Sequence, residues 1–202
     1  MRAVVQRVLS ASVTVDGETV SSIGRGLMVL VGIGADDTAT DIETLSNKIL
    51  TLRVFPDATG SMWKASVKDV EGDVLCVSQF TLLASTQKNK PDFHRAMATE
   101  PSRQLYATFL ERMGQIYSPE KIKDGRFGAM MNVSLTNEGP VTFTLDSRKF
   151  EYVDQSPSIS AAGSTAKVAR VTKWAKGGQQ GKSQSPAATS SDPVSREVTD
   201  DI

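Results

Sequence analysis

Ser78-Gln79-Phe80-Thr81-Leu82 places two hydroxyls and an amide inside the apolar run Val74 to Ala84. If that run is one strand, Gln79 and Thr81 share one face, while Ser78, Phe80 and Leu82 share the other. Polar groups in a buried strand need hydrogen-bond partners, so these are either satisfied core residues or site residues. Thr81 could act as a nucleophile in principle, but no activating base lies near it in sequence. His94 is the only imidazole, in the basic loop Lys88-Asn89-Lys90-Pro91-Asp92-Phe93-His94-Arg95, where a surface or loop-packing role fits better than base catalysis. A histidine-based triad is therefore not expected. The second stretch with chemical potential is Asn137-Glu138-Gly139-Pro140-Val141-Thr142. Its Gly-Pro step reads as an ordinary turn with the usual trans bond. Arg7, taken alone, reads as a surface charge at a strand end.

The elements that must hold these residues can be read from periodicity. Val4, Gln6 and Val8, then Val13 and Val15, alternate as a strand does. Asp16-Gly17 between Ser12–Val15 and Glu18–Ser21 is a hairpin signal, because both residues tolerate positive φ. Gly26 to Ile33 predicts a buried strand. Ile42, Leu45, Ile49 and Leu52 recur three and four apart, which predicts an amphipathic helix over 38–52 with Thr38 and Asp41 as a capping pair. A second helix is predicted over 99–113, with Leu105, Phe109 and Met113 on one stripe and Pro101 in its first turn. Val74 to Ala84 is predicted as a central strand. Met130 to Thr136 and Val141 to Asp146 are predicted as strands on either side of the Gly-Pro turn. Strands outnumber helices, so the expected class is α/β, with mixed, partly barrel-like β-sheets and outer helices.

The 202 residues balance 23 Lys plus Arg against 23 Asp plus Glu, and 39% are apolar, as in a soluble globular domain. The basic N-terminal residues superficially resemble an organelle leader, but their strand-like alternation argues otherwise. No window approaches the ~18 unbroken apolar residues of a membrane span. Cys76 is the only cysteine and sits among apolar neighbours, which suits a small core residue in a reducing compartment; the cytoplasm and no membrane association are expected. One Cys and one His exclude a structural zinc set, and no metal or other cofactor is expected. Residues 1–150 read as one domain. Residues 151–202 read as a low-complexity, disordered tail, rich in Ser, Ala, Gly and Gln over 155–202. Its Lys167, Arg170, Lys173, Lys176 and Lys182 form a solvated basic stretch or an auxiliary contact to RNA phosphates.

Taken together, Met1-Arg2-Ala3-Val4-Val5-Gln6-Arg7-Val8, Ala11–Val15, Leu52-Arg53-Val54-Phe55, Ser78–Leu82, Gly125–Ala129 and Asn137–Thr142 resemble the D-aminoacyl-tRNA deacylase family, in its order and spacing, from Met1 to about Ser147. Asn132 stands where that family often has Gln. The resemblance implies a homodimer that hydrolyses the ester between a D-amino acid and the tRNA 3′ end, and glycyl-tRNA as well, with rejection of L-aminoacyl-tRNA. It implies Ser78, Gln79, Phe80 and Thr81 as the catalytic strand end. It implies a cis Gly139-Pro140 peptide that reaches into the partner's pocket for chiral selection, with Arg7 fixing that segment. It also implies that the terminal ribose 2′-hydroxyl helps activate water. Lys88, Lys90, Lys121 and Lys123 could meet tRNA phosphates. The rival reading is a nucleic-acid-binding protein on the same fold without turnover.

Overall fold

β1 (Arg2–Val15) is the axis of the molecule, and a computed structural model describes it with the rest of residues 1–148. The expected tail, residues 151–202 with the basic stretch from Lys167 to Lys182, lies outside the described residues. β1 turns through Asp16-Gly17 into β2 (Glu18–Ile23), and both turn residues have positive φ, 52° and 83°. The first half of β1 pairs antiparallel with β3 (Gly26–Gly32), from Arg2 opposite Gly32 to Val8 opposite Gly26. The second half pairs with β2. β3 and β4 (Asp73–Ser78) are parallel, as are β4 and the short β5 (Ile122–Asp124). β6 (Asn132–Asp146) runs antiparallel along nearly all of β1. The strand order is β2-β1-β3-β4-β5 with β6 on β1, a mixed and nearly closed barrel-like sheet.

β3 and β4 bury both faces, which is why their sequences are unbroken apolar runs. Leu27, Val29, Val31, Val74 and Cys76 face the two outer helices, and Met28, Leu75 and Val77 face the core inside β1, β2 and β6. The helix α1 (Ala39–Thr51) covers the first set with Ile42, Leu45, Ile49 and Leu50, and the Asp41 carboxylate accepts the Thr38 N–H at 2.8 Å at its start. α2 (Thr99–Ile116) adds Tyr106, Phe109 and Met113 and runs one turn beyond the predicted end. Burial pushes the Cys76 thiol well above its ordinary pKa, as suits an inert core residue. Among the described residues, no helix is long and apolar enough to cross a membrane.

Two elements differ from expectation. The predicted strand over 74–84 stops at Ser78, where its parallel partner ends. Gln79 still donates its N–H to the Val31 carbonyl at 2.7 Å, and then Phe80–Leu83 forms one turn of 3₁₀ helix. The turn fits because Gly32 lies beneath it: a Cβ there would stand 2.9 Å from the Gln79 carbonyl oxygen and 2.9 Å from Leu82 Cβ. The second difference is at Gly139-Pro140, predicted as a turn between two separate strands. β6 is one strand paired to β1 on both sides, with Asn137 opposite Val8 and Thr142 opposite Gln6. Residues 138–141 loop out of the sheet, with only Arg7 facing them on β1.

Candidate active site

The four residues Ser78 to Thr81 sit where β4 becomes the turn. Ser78 and Gln79 are half-buried, whereas Phe80 and Thr81 are exposed. With the strand ended, Gln79 and Thr81 no longer share a sheet face. The turn nevertheless brings them together, and Gln79 Nε2 donates to Thr81 Oγ1. An amide cannot take a proton, so the only side-chain partner of the Thr81 hydroxyl among the described residues leaves it un-ionised and able to donate onward. The Phe80 and Thr81 N–H groups open the turn and have no acceptor within it. They are available to a carbonyl oxygen that approaches the mouth of the turn.

Two positioning contacts here escaped the sequence. Arg2 donates from Nη1 to the Leu82 carbonyl at 3.0 Å and from Nε to Asp146 Oδ2 at 2.9 Å, so it ties the turn to the ends of β1 and β6. Nothing in the local spacing around Arg2 points to these partners, which lie 80 and 144 residues away. Phe93 packs edge-on against Phe80, with ring centroids 5.0 Å apart, which brings the loop of Lys88 and Lys90 beside the turn. Ser85 and Asp92 close that loop by exchanging backbone hydrogen bonds of 2.8 and 3.0 Å. His94 is exposed, with Nδ1 2.7 Å from Asp92 Oδ2, and lies in this loop rather than at Thr81. Lys121 is paired with Asp73 at 3.2 Å, which makes it a poor phosphate ligand.

The Gly139-Pro140 loop is built differently. The Asn137 side chain closes its neck by accepting the Val141 N–H and donating to Thr142 Oγ1, each at 3.1 Å. Gly139 has φ +115°, and a Cβ on it would lie 2.9 Å from Val141 Cγ2 and 3.1 Å from Arg7 Nη2. The Gly139-Pro140 peptide is cis. Arg7 is no strand-end charge: it sits mid-strand, is only 5% exposed, and donates to the Val54 carbonyl at 2.5 Å. Both Gly139 and Pro140 remain exposed.

One chain does not unite the two regions. The turn is anchored at Arg2 and Gly32, whereas the loop faces Arg7, five residues further along β1 and so roughly 17 Å away at strand rise.

Residues 4–146 match the family model described as D-Tyr-tRNA(Tyr) deacylase. The chain belongs to this family. It is 54% identical to the human D-aminoacyl-tRNA deacylase 1 over 147 residues, which cover 73% of this chain and 70% of the relative. The D-aminoacyl-tRNA deacylase of Dictyostelium discoideum is 53% identical over 150 residues, covering 74% and 99%. A solved structure titled c-Myc DNA Unwinding Element Binding Protein superposes with a TM-score of 0.71 at 54% identity, covering 72% of this chain and 98% of that one. The family match spans both the Ser78–Leu83 turn and the 138–141 loop.

Proposed function

We infer that the chain hydrolyses the ester of D-aminoacyl-tRNA, releasing the D-amino acid and tRNA. The observation that carries this is an identity above one half, sustained across the whole domain, with D-aminoacyl-tRNA deacylases of distant eukaryotes. The site is the turn. The Phe80 and Thr81 N–H groups and the Gln79 amide polarise the ester carbonyl, and Thr81 Oγ1, held by Gln79, positions the substrate rather than attacking it. The substrate's own ribose 2′-hydroxyl assists the water, since the turn offers no base. Such orientation and charge stabilisation suffice for an already reactive aminoacyl ester.

The active form is a homodimer, and each pocket takes its Gly139-Pro140 loop from the partner. Two features support this: the separation of turn and loop within one chain, and an open cleft of about 420 Å³ beside Leu82, bounded by Arg2, Val4, Thr144 and Asp146. The loop carbonyls accept hydrogen bonds from the substrate α-ammonium and leave no space for an L side chain. Glycine has no side chain to exclude, so glycyl-tRNA is a substrate too. The site lies in residues 1–150, acts without a cofactor, and works in the cytoplasm. Lys88 and Lys90 meet phosphates of the acceptor end.

The test is incubation with D-Tyr-tRNA, L-Tyr-tRNA and glycyl-tRNA, following release of amino acid. The D and glycyl esters should be cleaved and the L ester spared. Hydrolysis of none would favour the rival binding protein, and resistance of glycyl-tRNA alone would mean that the side chain is read.

A further inference from the structure

Glu138, the residue before Gly139, turns its carboxylate back into the protein, where it meets two cations. Its Oε2 lies 3.1 Å from Arg7 Nε and 3.5 Å from Arg25 Nε. Both guanidinium groups also lie against the ring of Phe55, with Cζ at 5.9 and 5.3 Å from its centroid. That ring is fully buried, and its backbone is pinned to Ala65 by hydrogen bonds of 2.9 and 3.1 Å. The two guanidiniums therefore share one rigid base, and the carboxylate bridges them. Arg7 Nε and Glu138 Oε2 are buried and have no aligned hydrogen-bond partner, so the pair is held by charge. Such an attraction is little screened at the Arg7 side chain, 6% exposed, and more so at that of Arg25, 44% exposed. Without the carboxylate, two guanidiniums would face one ring with no anion between them.

We propose that Glu138 is a positioning residue for stereoselective hydrolysis: its carboxylate, clamped between Arg7 and Arg25 on Phe55, fixes how far the Gly139-Pro140 carbonyls project. The proposal rests on the reading of that loop as the selecting element. The Asn137 amide closes only the neck of the loop, whereas Glu138 is the one side chain within it that reaches the protein body through a charge. Misplacing a group by ~1 Å near a reacting centre costs up to about a hundredfold in rate.

The test compares Glu138→Gln and Arg25→Ala with the unaltered chain, reading kcat and KM on D-Tyr-tRNA, the D-to-L ratio of kcat/KM, and the unfolding midpoint. Glu138→Gln should lower kcat about tenfold or more, shrink the D-to-L ratio, and leave KM within about twofold, because tRNA is gripped elsewhere. Arg25→Ala, at a half-exposed side chain, should move the same readouts less. If the first variant fails to fold, the second decides. An unchanged kcat and ratio in the folded variants overturns the proposal. Gly139→Ala, measured in parallel, separates the two ideas. If it too leaves the ratio intact, the reading of the loop as selector fails; if it destroys the ratio while Glu138→Gln does not, only the anchor fails.

Discussion

The Ser78–Leu83 turn and the 138–141 loop are both interruptions of β structure, yet different physics holds each in place. The turn is fixed by backbone: the Val31 carbonyl takes the Gln79 N–H, Gly32 lets the chain close down, and Arg2 reaches a main-chain oxygen. The loop is fixed by side chains: an amide across its neck, and one carboxylate between two guanidiniums. Backbone placement tolerates polar substitution but not added volume. Side-chain placement tolerates small changes of volume but not of charge. If the turn is the catalytic surface and the loop the selecting element, as proposed, the two are built separately, at two points along β1.

The strongest way to break this contrast is Gly32→Val. The added carbon atoms would strike the Gln79 carbonyl and Leu82, so the turn must move. Overpacking costs about 1–3 kcal/mol, and displacing the turn should lower kcat/KM on D-Tyr-tRNA by about a hundredfold. Kinetics and thermal unfolding together check it, and a stable, fully active variant would mean that Gly32 does not set the turn.

Thr81→Ala sharpens the contrast at the turn itself. A positioning hydroxyl should cost on the order of 1–3 kcal/mol of transition-state stabilisation. Complete loss, or a covalent aminoacyl adduct trapped on Thr81, would make it a nucleophile instead.

What is legible in the sequence follows the same division. The hairpin, the capped helix and the two-faced strands are readable because each rests on local spacing and burial. The end of β4 is not, because β propensity continues through Phe80-Thr81-Leu82 while its parallel partner stops at Gly32, a tertiary fact. The 138–141 loop reads as an ordinary turn between two strands, because nothing local in Gly139-Pro140 says that both flanks pair with β1. Arg7 looks like surface charge until its partners, Val54 and Glu138, arrive from 47 and 131 residues away. The family resemblance supplies what spacing cannot.

Smaller effects should come from the scaffold shared by both regions. Burial, opposed by the Tyr106 hydrogen bond, raises the Asp124 carboxyl above its ordinary pKa. The native state then holds that proton more tightly than the unfolded chain, so its contribution to stability is full below the ordinary aspartate pKa and falls as pH rises through the raised one. Asp124→Asn should remove that decline while leaving the D-to-L ratio unchanged, as paired pH titrations of unfolding would detect. Removal of residues 155–202 should have the least effect. It is expected to leave the unfolding midpoint and the deacylation rate nearly unaltered, and loss of folding would show that the tail is part of the domain.

The central claim, that one chain's turn works with the other chain's loop, can be tested by complementation. A chain with Gln79→Ala and Thr81→Ala lacks a working turn, and a chain with Gly139→Ala lacks a working loop. Refolded together, half the dimers should be mixed, and each mixed dimer contains one intact pocket if the loop acts across the interface. Activity on D-Tyr-tRNA should therefore return to about one quarter of the unaltered value. If turn and loop act within the same chain, no mixed dimer has an intact pocket, and a mixture as inactive as its parents would contradict the account.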